Sequence, residues 1–207
     1  MIGVAREGGL WTVTLNRPEK ANSLTADMLS RLVDIMAEAS AAPDLRALIL
    51  TGAGDKVFSA GADLDEARAG LATSPLWEQV SGGLAGLPCL TIAALNGTLA
   101  GGAFGMALAC DLRIAVPTAR FFYPVAKLGF LPQPSDPGRL VALMGPARAK
   151  LILLAGQKLT ADEALSFGLI ERIAAPRDLL DHARDLATDA LAGKPEVLTR
   201  IKAMSQP

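Results

Sequence analysis

From Leu87 to Cys110 the chain carries no charged residue. A run of that length has to leave water, either across a bilayer or inside a core. Its interior decides between the two. Pro88, Asn96, Gly97, Gly101, Gly102 and Gly105 interrupt it. They divide it into a strand from Leu90 to Leu95, a glycine loop and a buried helix from about Ala103 to Ala109, so no membrane span is expected. The chain has 207 residues, of which 51% are hydrophobic and 20% charged. That suits one globular domain with a sizeable core. Aromatic residues are only 4%, which favours tight helix-on-sheet packing over an all-β design. With a net charge of −1 and no basic stripe, the chain has nothing to neutralise a phosphate backbone, and no nucleic-acid partner is expected.

Strand and helix signals alternate along the rest. Trp11 to Leu15 alternates and is rich in strand-forming residues. Thr25 is placed to cap a helix from Ala26 to about Ala41, with Met28, Leu29, Leu32, Val33, Ile35 and Met36 on one face. Arg46 to Thr51 and Asp111 to Val116 are short apolar runs that read as buried parallel strands. Val57-Phe58-Ser59 leads through Ala60-Gly61 into a helical start at Asp63. The last third is helical: Ala147 to Leu154, a capping box at Thr160-Ala161-Asp162-Glu163, an amphipathic helix from Leu179 to Leu191, and a final helix opened by Pro195. Residues 1–145 are expected to form the core and residues 146–207 a helical extension of the same unit.

Neither cysteine, Cys89 or Cys110, matches a zinc or disulfide spacing, and both are expected to be buried free thiols. No metal site is expected. His182, the one histidine, is expected on the surface and not in a catalytic triad. Met1 to Gly9 lacks the apolar run of a signal peptide, so a cytoplasmic chain is expected.

Two turns, at Ala60-Gly61 and at Gly101-Gly102, carry small residues where a strand runs into a helix. A helix start exposes unpaired N–H groups, and glycine lets the backbone approach a ligand. One such turn serves close packing or a phosphate. Two turns whose N–H groups converge could instead hold one oxygen from two sides, as enolate chemistry requires. Neither is a dinucleotide fingerprint or a P-loop.

The segments Asn16-Arg17-Pro18-Glu19-Lys20-Ala21-Asn22, Phe58-Ser59-Ala60-Gly61-Ala62-Asp63-Leu64, Asn96-Gly97 with Gly101-Gly102, Cys110-Asp111-Leu112-Arg113-Ile114-Ala115 and Gly156 to Ile173 resemble, in order, the enoyl-CoA hydratase/isomerase (crotonase) superfamily. The resemblance implies an α/β fold, a crotonase-like spiral of ββα units with a helical C-terminal extension. It implies a homotrimer or dimer of trimers and a coenzyme A thioester as substrate, with no permanently bound cofactor. It places the chain among isomerases and lyases of fatty acid metabolism. Ala62 and Gly102 match the two oxyanion-hole residues of the family. Ala60, Asp63 and Leu64 match its adenine and pantetheine path, with Lys20 and Ala21 near it.

The chain departs from that pattern where hydratases carry two glutamates. Those positions are Gly105 and Val125 here, and neither can move a proton. Substitutes are Asp136, which otherwise forms a turn before Pro137, and Tyr123, a proton donor or a packing residue. Gln133 stands where some members place an aspartate. Asp65, Glu66 and Glu78 are expected on solvated faces. The sequence also ends at Pro207, where family members usually continue for some tens of residues. An acyl-CoA enzyme acting through an enolate, as an isomerase, a decarboxylase or a hydrolase-like member, and a non-catalytic or weakly active acyl-CoA binder both remain open, and a nucleotide binder lacks its fingerprint.

Overall fold

The computed structural model describes residues 1–205. Its strands are β1 (Ile2–Glu7), β2 (Leu10–Leu15), β3 (Ala47–Gly52), β4 (Val57–Ser59), β5 (Leu90–Leu95), β6 (Thr98–Ala100), β7 (Leu112–Ala115), β8 (Arg120–Phe122), β9 (Leu159–Thr160) and β10 (Arg172–Ile173). Its helices are α1 (Ala26–Ser40), α2 (Leu64–Arg68), α3 (Leu76–Ala85), α4 (Phe104–Ala109), α5 (Val125–Leu128), α6 (Asp136–Leu153), α7 (Ala161–Phe167), α8 (Leu179–Ala192) and α9 (Pro195–Met204).

Two sheets result. The larger has the order β1-β2-β3-β5-β7-β10 and the smaller β4-β6-β8-β9. Only β1 with β2 and β8 with β9 run antiparallel. Three parallel strands of the larger sheet each pass to a short strand of the second sheet and then to a helix: β3 to β4 to α2, β5 to β6 to α4, β7 to β8 to α5. That is the expected spiral of ββα units. Every residue of β3 is buried, as a central parallel strand requires.

The local signals hold where they are strong. Thr25 accepts the Met28 N–H at the start of α1, and Met28, Leu29, Leu32, Ile35 and Met36 are buried. Thr160 and Glu163 form the capping box of α7. Cys89 and Cys110 are free and buried, and desolvation pushes their thiols up to about 11 and about 12. His182 is exposed.

Four expectations need correction. The uncharged loop after Asn96-Gly97 is itself strand β6. Helix α3 was not expected, because Gly82 and Gly83 weaken its helical signal. A methyl at Gly83 would lie 2.9 Å from the Met36 Cβ, so the glycine lets α3 settle on α1. The helical segment from Asp136, before the helix expected at Ala147, was not anticipated; the two segments of α6 meet at Gly145, whose φ of 80° and ψ of 164° break the helical path. Glu66 and Glu78 are not on solvated faces: both are half-buried, Glu66 accepting the Ala26 N–H at 2.6 Å and Glu78 bound to Ser135. Among the described residues, no helix is long and apolar enough to cross a membrane.

Arg113 fastens the far side of the large sheet. Its buried guanidinium donates to the carbonyls of Cys110 at 2.7 Å and Leu169 at 2.8 Å and pairs with Glu171. Buried Leu179, Ala183, Ala187 and Ala190 seat α8 against β3, β5 and β7.

Replacing Thr160 by Ala removes the hydroxyl that accepts the Glu163 N–H and leaves the Glu163 carboxylate still accepting the N–H of residue 160. The expected loss is about 1 kcal/mol of unfolding free energy by urea titration, and an unchanged midpoint would show that α7 does not depend on its box.

Candidate active site

The two glycine turns meet. A methyl built on Gly61 would lie 3.1 Å from the Ala100 carbonyl oxygen and 3.2 Å from the Gly102 nitrogen. Gly61 also has a φ of 91°, a conformation that favours glycine. Behind Gly102 the Trp77 ring of α3 closes the other side, 3.2 Å from where a Cβ would stand. Trp77 is itself fixed, its Nε1–H donating to the Leu71 carbonyl at 2.8 Å.

Backbone accounting around the first turn singles out one donor. The Ala60 N–H donates to Ala21 at 3.0 Å and the Asp63 N–H to Leu24 at 2.8 Å. The Gly61 N–H donates to the Ser59 hydroxyl at 3.2 Å. Among the described residues the Ala62 N–H has no acceptor. At the second turn the Gly102 N–H lies in the first turn of a short 3-10 helix, Gly101–Ala103, where no intrahelical partner exists. It too finds no acceptor among the described residues. Ala62 and Gly102 line one cleft of about 720 Å³, counting its open mouth.

Polar residues of the resembling motifs hold these turns rather than face the cleft. The Asn22 side chain donates to the carbonyls of Ala53 and Val57, each at 2.8 Å, and accepts the Arg17 N–H at 2.9 Å. Ser59 donates to the Asn22 carbonyl at 2.8 Å. Asn96 accepts the Gly52 N–H and donates to Gly54. Sequence reasoning missed these three as supports, although buried Asn and Ser beside glycines are a usable signal. Arg17 reaches Asp63 at 2.8 Å and holds its carboxyl below the usual carboxylate range; Asp63 in turn caps α2.

The remaining expected residues fall as follows. Ala60 and Leu64 line the cleft and Asp63 stands between them in sequence, at the start of α2. Lys20 is exposed, and the Ala21 carbonyl anchors Ala60. Tyr123 lines the cleft, whereas Asp136 is fully buried and does not. The Tyr123 hydroxyl donates to Asp136 Oδ2 at 3.0 Å and accepts the Gln133 N–H at 3.3 Å. Its ring stacks on Phe104, with centroids 5.3 Å apart. Asp136 begins α6, where Ser135 and Pro137 are an N-cap and first-turn signal that the sequence reading took for a turn.

Asp136 also occupies the space beside Gly105. A Cβ there would lie 2.9 Å from Asp136 Oδ1. That oxygen has no hydrogen-bond partner, nor has Arg139 Nη1, which stands 3.9 Å away. Desolvation above all pushes the Asp136 carboxyl up to about 7; Glu78 adds to the rise, while Tyr123 and Arg139 oppose it. Burial and the neighbouring Asp136 push the Tyr123 hydroxyl up as well. Among the described residues, no group of three His, Cys, Asp or Glu comes together as a metal-binding cluster. Two unpaired N–H groups in a largely apolar cleft can bind one carbonyl oxygen, and a buried Tyr–Asp pair can move a proton beside it.

Residues 5–206 match the family model of the enoyl-CoA hydratases/isomerases. The chain belongs to that family. It is 41% identical to YngF of Bacillus subtilis over 92% of this chain and 75% of that protein. It is 37% identical to the carnitinyl-CoA dehydratase of Salmonella arizonae over 99% of this chain and 80% of the relative. Among solved structures, an enoyl-CoA hydratase from Bacillus anthracis superposes with a TM-score of 0.92 at 32% identity, covering 98% of this chain and 81% of that one.

Two outcomes check the site. Asn22→Ala takes the partner from the half-buried Ala53 carbonyl and the Arg17 N–H and leaves Val57 only the longer bond from Asn96, and the expected loss is roughly 1–3 kcal/mol by urea titration. The second concerns pH. The folded-state pKa of Asp136 lies above its ordinary 3.8, so between about 4 and 7 the folded chain holds the extra proton and stability falls as pH rises. Asp136→Asn removes this slope. Relative to that variant, the parent chain should lose roughly 2–4 kcal/mol between pH 4 and pH 8; parallel stability curves would contradict it.

Proposed function

We propose that this chain binds an acyl-CoA thioester, holds its carbonyl oxygen on the N–H groups of Ala62 and Gly102 as an oxyanion hole, and moves a proton at the adjacent carbon through Tyr123 backed by Asp136. The observation that supports this is that Ala62 and Gly102, whose N–H groups have no acceptor among the described residues, line the same cleft as Tyr123. As the C–H bond next to the carbonyl breaks, its electron pair enters the thioester as an enolate, whose oxygen the two N–H groups stabilise. The proton goes to the Tyr123 oxygen while the Tyr123 proton passes to Asp136 Oδ2. Return of a proton to a different carbon moves the double bond, and loss of a β-substituent gives an enoyl product.

The chemistry is of the isomerase or lyase kind. Ordinary hydration is disfavoured, because Gly105 and Val125 offer no carboxylate. The dehydratase name carried by several relatives is consistent with an enolate step. Ala60, Asp63 and Leu64, with Lys20 and Ala21 beside them, are proposed as the coenzyme path. A weakly active acyl-CoA binder is the second reading, favoured by one observation: the Asp136 carboxylate is fully buried and does not line the cleft.

Mass analysis after incubation with 2-enoyl- and 3-enoyl-CoA substrates tests the two. Turnover is expected, with crotonyl-CoA hydration far below ~10 s⁻¹. Tyr123→Phe and Asp136→Asn should each retain thioester binding and lose about 10²–10⁴-fold in rate. The rate of the parent chain should rise with pH through about 7 as Asp136 ionises. Binding without turnover would favour the binder, and unchanged rates in both variants would remove the Tyr–Asp pair from the mechanism.

A further inference from the structure

We propose that Arg139 is a positioning residue of this site: standing beside Asp136 Oδ1, it keeps the other carboxylate oxygen, Oδ2, turned to the Tyr123 hydroxyl and able to take its proton. This rests on the reading of Tyr123 and Asp136 as the pair that moves a proton. Asp136 and Arg139 are an i,i+3 pair in the first turn of α6, a spacing that puts both side chains on one face of the helix. Asp136 is fully buried, and the Arg139 side chain is 20% exposed. Neither lines the cleft.

The two oxygens of Asp136 are held differently. Oδ2 accepts the Tyr123 hydroxyl at 3.0 Å. Oδ1 is buried and has no hydrogen-bond partner. On one side it faces α4, where a Cβ on Gly105 would lie 2.9 Å away and where every residue is uncharged. Its other polar neighbour is Arg139 Nη1 at 3.9 Å, which is likewise buried without a hydrogen-bond partner. That separation is too long for a hydrogen bond, yet opposite charges attract strongly across it in a dry site. Among the described residues the Arg139 guanidinium pairs with no other carboxylate. Two orphaned polar atoms are costly, and ionisation of Asp136 makes each the partner of the other.

Few charged or titratable groups face Asp136. From α3 comes Glu78, bound to Ser135 just before α6. The link between β8 and α5 supplies Tyr123, and α6 itself supplies Arg139. Burial above all, and Glu78 with it, favours the neutral carboxyl, while Tyr123 and Arg139 favour the ionised one. Arg139 is the positive charge of this set. Without it Asp136 would keep its proton at neutral pH, and a neutral carboxyl is a poor acceptor for the proton of Tyr123. Arg139 thus acts on the reaction only through Asp136.

Infrared titration of the full chain tests this, reading the carboxylic acid C=O band that Asp136→Asn removes. Arg139→Gln should move the titration of that band upward by about one pH unit or more, and Glu78→Gln should move it downward. Arg139→Met, also uncharged, takes its place if Arg139→Gln does not fold; Arg139→Lys, which keeps the charge, should titrate below both. With substrate, Arg139→Gln should bind the thioester as the parent does, turn it over about fivefold more slowly at pH 7 and recover at higher pH. A band that titrates at the parent pH in the uncharged variants would overturn the inference. So would an upward shift in Glu78→Gln, because disturbed packing and not charge would then be the cause. A shifted band with an unshifted rate–pH profile would overturn the positioning role. Absence of turnover by the parent chain would overturn the underlying reading and the positioning role together.

Discussion

The site depends on the contact between Gly61 and the Gly101-Gly102 turn. Two backbones approach there so closely that a single methyl at Gly61 would meet the Gly102 nitrogen at 3.2 Å. Everything around the contact maintains it. The β3-to-β4 and β5-to-β6 crossovers deliver the two turns to the same place, and Asn22, Ser59 and Asn96 tie the crossovers together through buried hydrogen bonds. At the first turn the N–H groups of Ala60, Gly61 and Asp63 are taken by the Ala21 carbonyl, the Ser59 hydroxyl and the Leu24 carbonyl, and that of Ala62 has no acceptor among the described residues. Trp77 then presses Gly102 from behind. A buried polar network that is fully satisfied rigidifies its surroundings, and here it holds the two turns that carry the Ala62 and Gly102 N–H groups, the donors of the proposed oxyanion hole.

The second feature of the site is an exchange of position. Gly105 and Val125 are the positions where the resemblance leads one to expect the glutamates of hydratases, and in the proposed mechanism Asp136 and Tyr123 supply the acid/base capacity instead. Asp136, from the start of α6, brings its carboxylate into the space that a side chain at residue 105 would need. It meets the cleft only through the Tyr123 hydroxyl. The carboxylate is thus held in a drier place than an exposed one, which is why its pKa rises toward 7. A group poised there suits proton transfer near neutral pH.

Much of the fold was legible because it rests on local physics. The 3.6-residue spacing of α1, its Thr25 cap, the apolar run of β3 and the Thr160–Glu163 box are each written within a few neighbouring residues. Strands of two or three residues, such as β6, β8 and β9, carry no alternation to read. Helix α3 hides behind two glycines, one of which exists to admit Met36 from another helix. The site divides in the same way. Ala62 and Gly102 could be named as candidates from their motifs. That Asp136 lies against Gly105 and behind Tyr123 is a long-range fact, and no spacing near Pro137 encodes it. Asn22 and Ser59 were visible as motif letters, but their role depends on carbonyls that only the folded chain brings within reach.

The most direct test of the paired donors is the infrared carbonyl stretch of a 1-¹³C-labelled, non-reacting acyl-CoA bound to the chain, compared with the same thioester in water. Two N–H groups aimed at one oxygen lengthen and polarise the C=O bond, so a single narrow band shifted to lower frequency is expected. A band at or above its frequency in water would mean that Ala62 and Gly102 do not grip the carbonyl.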